Sequence, residues 1–169
     1  AKRQKGKSDC SVPTVCFLDP DGDLADYLLL TGQASLNECW ACYHSKMYNF
    51  KVDGIEIGIV PCIVGSSYAV LVAEQLFVSG CTNLISVTSS GIINHPAQNK
   101  KFALITEAIR DEGTSYHYLP PDKSSMLSPT LYQNLSVNKL PDDCPYFAAK
   151  SWTTDAPYRE TQTAISAME

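Results

Sequence analysis

Residues 55–91, IEIGIVPCIVGSSYAVLVAEQLFVSGCTNLISVTSSG, constrain the fold more than any other part of the chain. Residues 55–62 are a run of apolar and β-branched side chains, the composition of a strand buried on both faces. Val64-Gly65-Ser66-Ser67 interrupts the run with a glycine on which to turn and a serine to cap the next element. Over residues 68–78 the apolar period becomes that of a helix. Ala69, Val72, Ala73 and Leu76 share one face, and Gly80 stands where a glycine closes a helix. Residues 83–88 read as a second buried strand, ending in Ser89-Ser90-Gly91. Such a strand–helix–strand unit runs its strands parallel. Its small-residue turns fall at the carboxyl ends of the strands, where open α/β sheets place ligands. N–H groups and hydroxyls gathered there suit a phosphate or a sugar. Small residues also serve tight turns alone, so the pattern by itself leaves both readings open.

Upstream, residues 14–18 read as a strand, Asp19-Pro20-Asp21-Gly22-Asp23 as the turn at its carboxyl end, and residues 24–30 as a helix ending near Gly32. That order puts Gly22 at the same rim as Ser89 and Gly91, where a glycine lets an anion approach the backbone. The aspartates of this turn oppose a bare phosphate unless arginines answer them. DPDGD also lacks the spaced ligands and distal glutamate of a calcium loop. Asp53-Gly54, between runs at 46–52 and 55–62, signals a hairpin.

Downstream, residues 94–101 read as a polar loop and 102–109 as a strand. Residues 110–121, RDEGTSYHYLPP, form a long irregular stretch of the kind that often carries function. His117, between Tyr116 and Tyr118, reads either as a base or ligand or as a histidine satisfied by packing between the rings. A helix is expected over 128–137 with Pro129 in its first turn, then a strand over 146–152. Thr153 to Arg159 follow as a turn, and a helix begins near Glu160. Asp155 is placed to cap that turn, and Arg159 reads either as reaching a carbonyl or an anion or as a surface arginine.

The 169 residues suit one domain over 12–169 behind a basic tail at 1–11. At 44% hydrophobic and 18% charged, the chain carries enough apolar material for a core. A net charge of −5 argues against a nucleic-acid partner. Lys2, Arg3, Lys5 and Lys7 read as a solvated tail rather than a binding arm. No apolar run reaches the roughly 18 residues of a membrane span, and no signal peptide is read at the N-terminus. The odd count of 7 cysteines, with Cys16, Cys62 and Cys81 in apolar runs, points to buried free thiols and a reducing, cytoplasmic setting. The Asn134-Leu135-Ser136 sequon has no meaning in that setting. Cys39-Trp40-Ala41-Cys42 has thioredoxin-like spacing, but no strand precedes it. No second cysteine or histidine pair completes a zinc site, and no metal is expected.

Several of these pieces resemble one family. TSSGII after a strand, RDEGTSYHYLPP after the next, KSWTTDAPYRET near the end and LDPDGD near the start are similar to segments of the nucleoside phosphorylases, of the uridine phosphorylase and hexameric purine nucleoside phosphorylase type. The motif order and spacing agree over residues 12–169, and the two longer motifs are the specific ones. The resemblance implies an α/β fold, a three-layer α/β/α sandwich around a mixed, partly barrel-like central sheet. It implies phosphorolysis of a uridine or purine nucleoside to free base and ribose 1-phosphate. Inorganic phosphate is then the co-substrate and no other cofactor is needed. It implies a homodimer or a ring of dimers such as a homohexamer. By position, Gly22 and Ser89 bind phosphate with Gly91 close by, and Arg159 contacts the base. No catalytic residue is assigned.

The chain also departs from the family pattern. Arginines expected after the first glycine turn, before the TSSG turn and near residues 43–44 are replaced by Asp26, Ser86 and the pair Tyr43-His44. Each lost arginine removes a charge-assisted contact worth about 1.5–3 kcal/mol. Pro157 stands near the place of a pyrimidine-reading glutamine. Ala167-Met168-Glu169 sits in a helical run too close to Arg159 to be the family's ribose-binding Met-Glu, so the chain is expected to stop before the ribose site and the closing helix. Two alternatives stand beside phosphorolysis: a nucleoside hydrolase of the same fold, and a catalytically impaired nucleoside-binding homologue.

Overall fold

The computed structural model describes residues 6, 9–94, 102–137, 144 and 146–168. Most of the basic tail and of the polar loop expected at 94–101 lies outside them. Contacts divide the chain into two compact units, Ala1–Ser90 and Gly91–Glu169.

In the first unit, β1 (Val15–Asp19), β2 (Ser35–Leu36), β3 (Tyr48–Val52), β4 (Ile55–Pro61) and β5 (Asn83–Ser86) form a mixed sheet in the order β2-β3-β4-β1-β5. Helices α1 (Asp23–Leu30) and α2 (Ser66–Phe77) complete it. β1 runs parallel to both neighbours, with Val15 opposite Ile57 of β4 and Asn83 of β5. The expected strand–helix–strand unit is therefore present, with β1 inserted between its two parallel strands. β3 and β4 are the expected hairpin. Val52 pairs with Ile55, leaving Asp53 and Gly54 at φ +50° and +82°, the doubly left-handed loop that Asp-Gly favours.

Alternation along the strands sends Cys16, Leu18 and Val60 into one apolar cluster and Phe17, Ile57 and Ile59 into another. α2 meets the first with Val72 and Leu76, both fully buried. α1 meets the second with Ala25 and Leu28, where Phe17 and Phe50 pack edge to face at 6.3 Å. Helix, sheet and helix thus stack as the expected α/β/α layers. Burial pushes the Cys16 thiol up, and the neighbouring Cys81 thiol adds to this. Cys16 is packing material, not a nucleophile.

Some local expectations give way. β5 was expected to run to residue 88 as a buried strand. It ends at Ser86, and apart from half-buried Leu84 its residues are exposed. It is the last strand of its sheet, and a short apolar run does not report whether both its faces are covered. A serine was expected to cap α2, but the N-cap is Gly65 at φ +94°, with no side-chain bond. A glycine meets that backbone without the strain a serine would carry. Gly80 does close α2 at φ +115°, with the Cys81 N–H donating to the Leu76 carbonyl at 3.1 Å. Cys62, expected buried, is exposed and itself left-handed at φ +60°.

Cys10 and Cys39 form a disulfide, while Cys42 is buried and outside it. The C-x-x-C cysteines are therefore not partners of each other, and their segment is loop rather than the start of a helix. The bond was not expected, but Cys16, Cys62 and Cys81, the thiols on which the reducing setting rested, stand outside it.

In the second unit, β6 (Phe102–Asp111), β7 (Ser124–Met126) and β8 (Tyr146–Thr154) form a mixed sheet in the order β7-β6-β8. β6 is parallel to β8 and antiparallel to β7. α3 (Pro129–Val137) begins on its proline as expected, and α4 (Gln162–Met168) follows a 3₁₀ turn at Pro157–Arg159. The register of β6 on β8 shifts between Ile105 and Glu107. There the Thr106 hydroxyl donates to the Ala149 carbonyl at 3.3 Å. Beside the shift Lys150 pairs with Glu107 at 3.0 Å, and this hydrogen bond holds the half-buried Glu107 carboxyl below its usual range. Among the described residues of this unit, Ile109 and Arg110 are the buried ones. No helix among the described residues is long and apolar enough to cross a membrane.

Candidate functional site

β1 and β5 are parallel neighbours, so the turns at their carboxyl ends lie side by side. α1 starts from the first turn. Gly22, at φ +86°, donates its N–H to the carbonyl and to Oδ1 of Asp19, both at 3.2 Å. Asp19 Oδ2 accepts the Ala25 N–H at 2.9 Å. Asp19 is buried, and its carboxylate satisfies donors at the positive end of α1. Gly22 is itself buried. A Cβ on it would stand 3.0 Å from Cys62 Sγ. Gly22→Ala is therefore expected to cost about 1–2 kcal/mol, the penalty of left-handed backbone for a residue with a side chain. Urea unfolding reads this as a lower midpoint at constant slope, and an unchanged midpoint would contradict it.

The second turn follows β5. The Val87 N–H still donates to the Leu18 carbonyl at 3.1 Å. The Ser89 N–H then donates to Asp21 Oδ2 at 2.6 Å. The Thr88 hydroxyl lies 3.3 and 3.4 Å from the two Asp21 oxygens. Asp21 thus ties the glycine turn to the serine turn, bringing Gly22 and Ser89 together as the sequence order implied. Gly91 is the first residue of the second unit, with open space where its Cβ would stand.

The second unit holds the remaining candidates. Arg159 lies exposed in the 3₁₀ turn after β8, its N–H donating to the Ala156 carbonyl at 2.8 Å. Asp155 accepts the Gly113 N–H at 2.7 Å. That bond ties down the loop after β6. His117 is exposed, in a short 3₁₀ turn, Ser115–His117. Neither the base nor the packed-ring reading gains support, because Tyr116 packs on Arg110 instead, 4.3 Å from guanidinium carbon to ring centre.

Arg110 organises this loop. Its Nε donates to Ser115 Oγ at 2.8 Å, Nη1 to the Pro120 carbonyl at 2.6 Å and Nη2 to the Leu119 carbonyl at 3.4 Å. Glu112 adds a local cap, accepting the Thr114 and Ser115 N–H groups at 2.8 and 2.9 Å. Burial pushes the Glu112 carboxyl up, but the Ser115 hydroxyl and these N–H groups together outweigh it and hold the carboxyl below its ordinary range. A depressed carboxyl stabilises the fold above its unfolded value, and that contribution is lost as pH falls through the lower folded value. A ¹³C titration is expected to give Glu112 a midpoint below that of a free glutamate, with the Thr114 and Ser115 amides following it. An ordinary midpoint would contradict the cap.

Sequence reasoning missed Asp19, Asp21, Thr88 and Arg110. The aspartates were visible only as charge opposing an anion, and Thr88 only as the end of a strand. Among the described residues, no cluster of His, Cys, Asp or Glu could hold a metal ion. Concavities of about 270 and 430 Å³, beside Tyr43 and Leu71 and beside Asn37 and Glu56, contain none of the candidate residues. The paired turns are an open rim.

Known proteins share this fold. The family model described as Phosphorylase superfamily matches residues 25–169. Among solved structures, uridine phosphorylase from Vibrio fischeri ES114 superposes with a TM-score of 0.70 at 18% identity, covering 96% of this chain and 66% of that one. The same enzyme complexed with 6-hydroxy-1-naphthoic acid gives 0.72 at 18%, covering 96% and 65%. Purine nucleoside phosphorylase from Toxoplasma gondii in complex with immucillin-H gives 0.72 at 14%, again covering 96% and 65%. At such identities the likeness speaks for the fold. The chain spans slightly less than two thirds of the length of these structures. No curated protein matches it.

Proposed function

The chain belongs to the phosphorylase superfamily, and from that premise we propose that it takes part in phosphorolysis of a uridine or purine nucleoside, giving free base and ribose 1-phosphate. A phosphate oxygen forms a bond to C1′ as the bond from C1′ to the base nitrogen breaks. The electron pair leaves with the base, which takes up a proton. The transition state resembles an oxocarbenium ion, so the site must hold an anion on one side of the sugar and stabilise the departing base on the other.

The observation that carries this reading is the pairing of two turns at the ends of the parallel neighbours β1 and β5, with α1 starting from one of them. Helices α1 and α2 lie on opposite faces of the sheet there, the arrangement in which open α/β sheets bind ligands. In this role Ser89 supplies a backbone donor to phosphate, Gly91 leaves room for it, and Gly22 shapes the turn that approaches it. Arg159 contacts the base. The same reading expects no cofactor beyond phosphate, a homodimer or homohexamer, and a cytoplasmic setting.

The test is incubation of the purified chain with uridine and with inosine, each with and without inorganic phosphate. Base release that requires phosphate and yields ribose 1-phosphate is the expected result. Equal release without phosphate would replace phosphorolysis by hydrolysis. A nucleoside that binds without turnover would make the chain an impaired homologue.

A further inference from the structure

We propose that Asp21 is a specificity-determining residue of the paired turns. Its carboxylate occupies the anion position formed by the Ser89 N–H and the Thr88 hydroxyl, and phosphate binds there only by displacing it. This rests on the phosphate reading above.

Three observations carry the inference. The Ser89 N–H to Asp21 Oδ2 distance of 2.6 Å is that of a short, charge-assisted hydrogen bond, and the Thr88 hydroxyl stands within reach of both carboxylate oxygens. A carboxylate and a phosphate recruit the same donors, so the two compete for one place. Second, the turns hold two carboxylates of different standing. Asp19 is buried and fixed on the Gly22 and Ala25 N–H groups. Asp21 is exposed and can swing into water at little cost. Third, residues 19–26 and 84–91 contain neither lysine nor arginine. Neither turn carries a cation of its own to reward phosphate over the resident carboxylate, which is tethered and so present at high effective concentration.

The apparent affinity for phosphate is then reduced by the fraction of molecules whose turn is vacated. Withdrawing Asp21 raises affinity without adding any contact.

The experiment is calorimetric titration of inorganic phosphate into wild type, Asp21→Asn, Asp21→Ala and Asp53→Asn. The last removes the same unit of charge at the β3–β4 hairpin, where a left-handed φ of +50° suits asparagine. Circular dichroism confirms that each is folded. Both Asp21 variants are expected to bind phosphate about tenfold more tightly than wild type, the factor that applies if about nine in ten turns are occupied. Asp53→Asn is expected to match wild type. Equal affinity in wild type and the Asp21 variants overturns the proposal while leaving the phosphate site standing. So does an equal gain in Asp53→Asn, which would make the effect one of net charge. Folded variants that bind no phosphate overturn the phosphate reading and the proposal with it.

Discussion

Replacing Leu76 with alanine is expected to destabilise the first unit by about 4 kcal/mol, within the range seen for a buried leucine whose surroundings cannot close on the cavity. Leu76 has no solvent exposure and packs in the cluster with Cys16, Leu18, Val72 and Cys81. Its carbonyl also anchors the closing turn of α2, accepting the Ser79 and Cys81 N–H groups at 3.0 and 3.1 Å. The turn limits how far α2 can settle inward. A domain is stable by about 5–15 kcal/mol in all, so the loss should be plain in the urea midpoint. Leu76→Met should cost less than about 1.5 kcal/mol, because volume is kept. On the same helix Leu71 is 46% exposed, and its replacement by alanine should cost far less. Equal effects at the two positions would contradict the placement of α2.

Replacing Arg110 with alanine is expected to cost about 3 kcal/mol and to release the loop that follows β6. A hydrogen bond from a charged group contributes about 1.5–3 kcal/mol, and the guanidinium makes contacts to Ser115, Leu119 and Pro120. The sum overstates the loss, because Leu119 and Pro120 are exposed and water can take over their carbonyls. Lysine should recover less than half, since a single ammonium cannot fork across acceptors spread along the loop or lie on the Tyr116 ring as the planar guanidinium does. Limited chymotrypsin digestion reads the release directly. Cleavage after Tyr116 and Tyr118 should accelerate in Arg110→Ala, and an unchanged cleavage rate would show that the loop is held by something else.

The parts of the fold legible in the sequence are those fixed by neighbours along the chain. Asp53-Gly54 announces a two-residue hairpin because few other dipeptides take two left-handed residues in succession. The period change after Ser67 announces α2 because its buried face is a property of the helix itself. What eluded the sequence depends on distant residues. The Asp21 to Ser89 bond spans 68 positions and the Cys10–Cys39 bond 29, and neither pairing has a local signature. The exposure of β5 depends on which strand lies beside it. The site was half legible. Gly22 and Ser89 were placed at one rim by strand–turn–helix order and are found there together. That the rim already holds a carboxylate required seeing which side chain falls between the turns. Arg110 opens a motif recognisable as a string, yet its work is to close the loop onto itself.

The most direct measurement is a titration of ¹³C,¹⁵N-labelled protein with inorganic phosphate, followed at the amides and the carboxyl carbons and carried to concentrations that displace Asp21. If phosphate binds where the turns of β1 and β5 meet, the Ser89 amide should shift most, Gly22 and Thr88 should follow the same saturation curve, and the Asp21 carboxyl resonance should move with them. Saturable shifts elsewhere, with Ser89 unmoved, would contradict the assignment of this rim as the phosphate site.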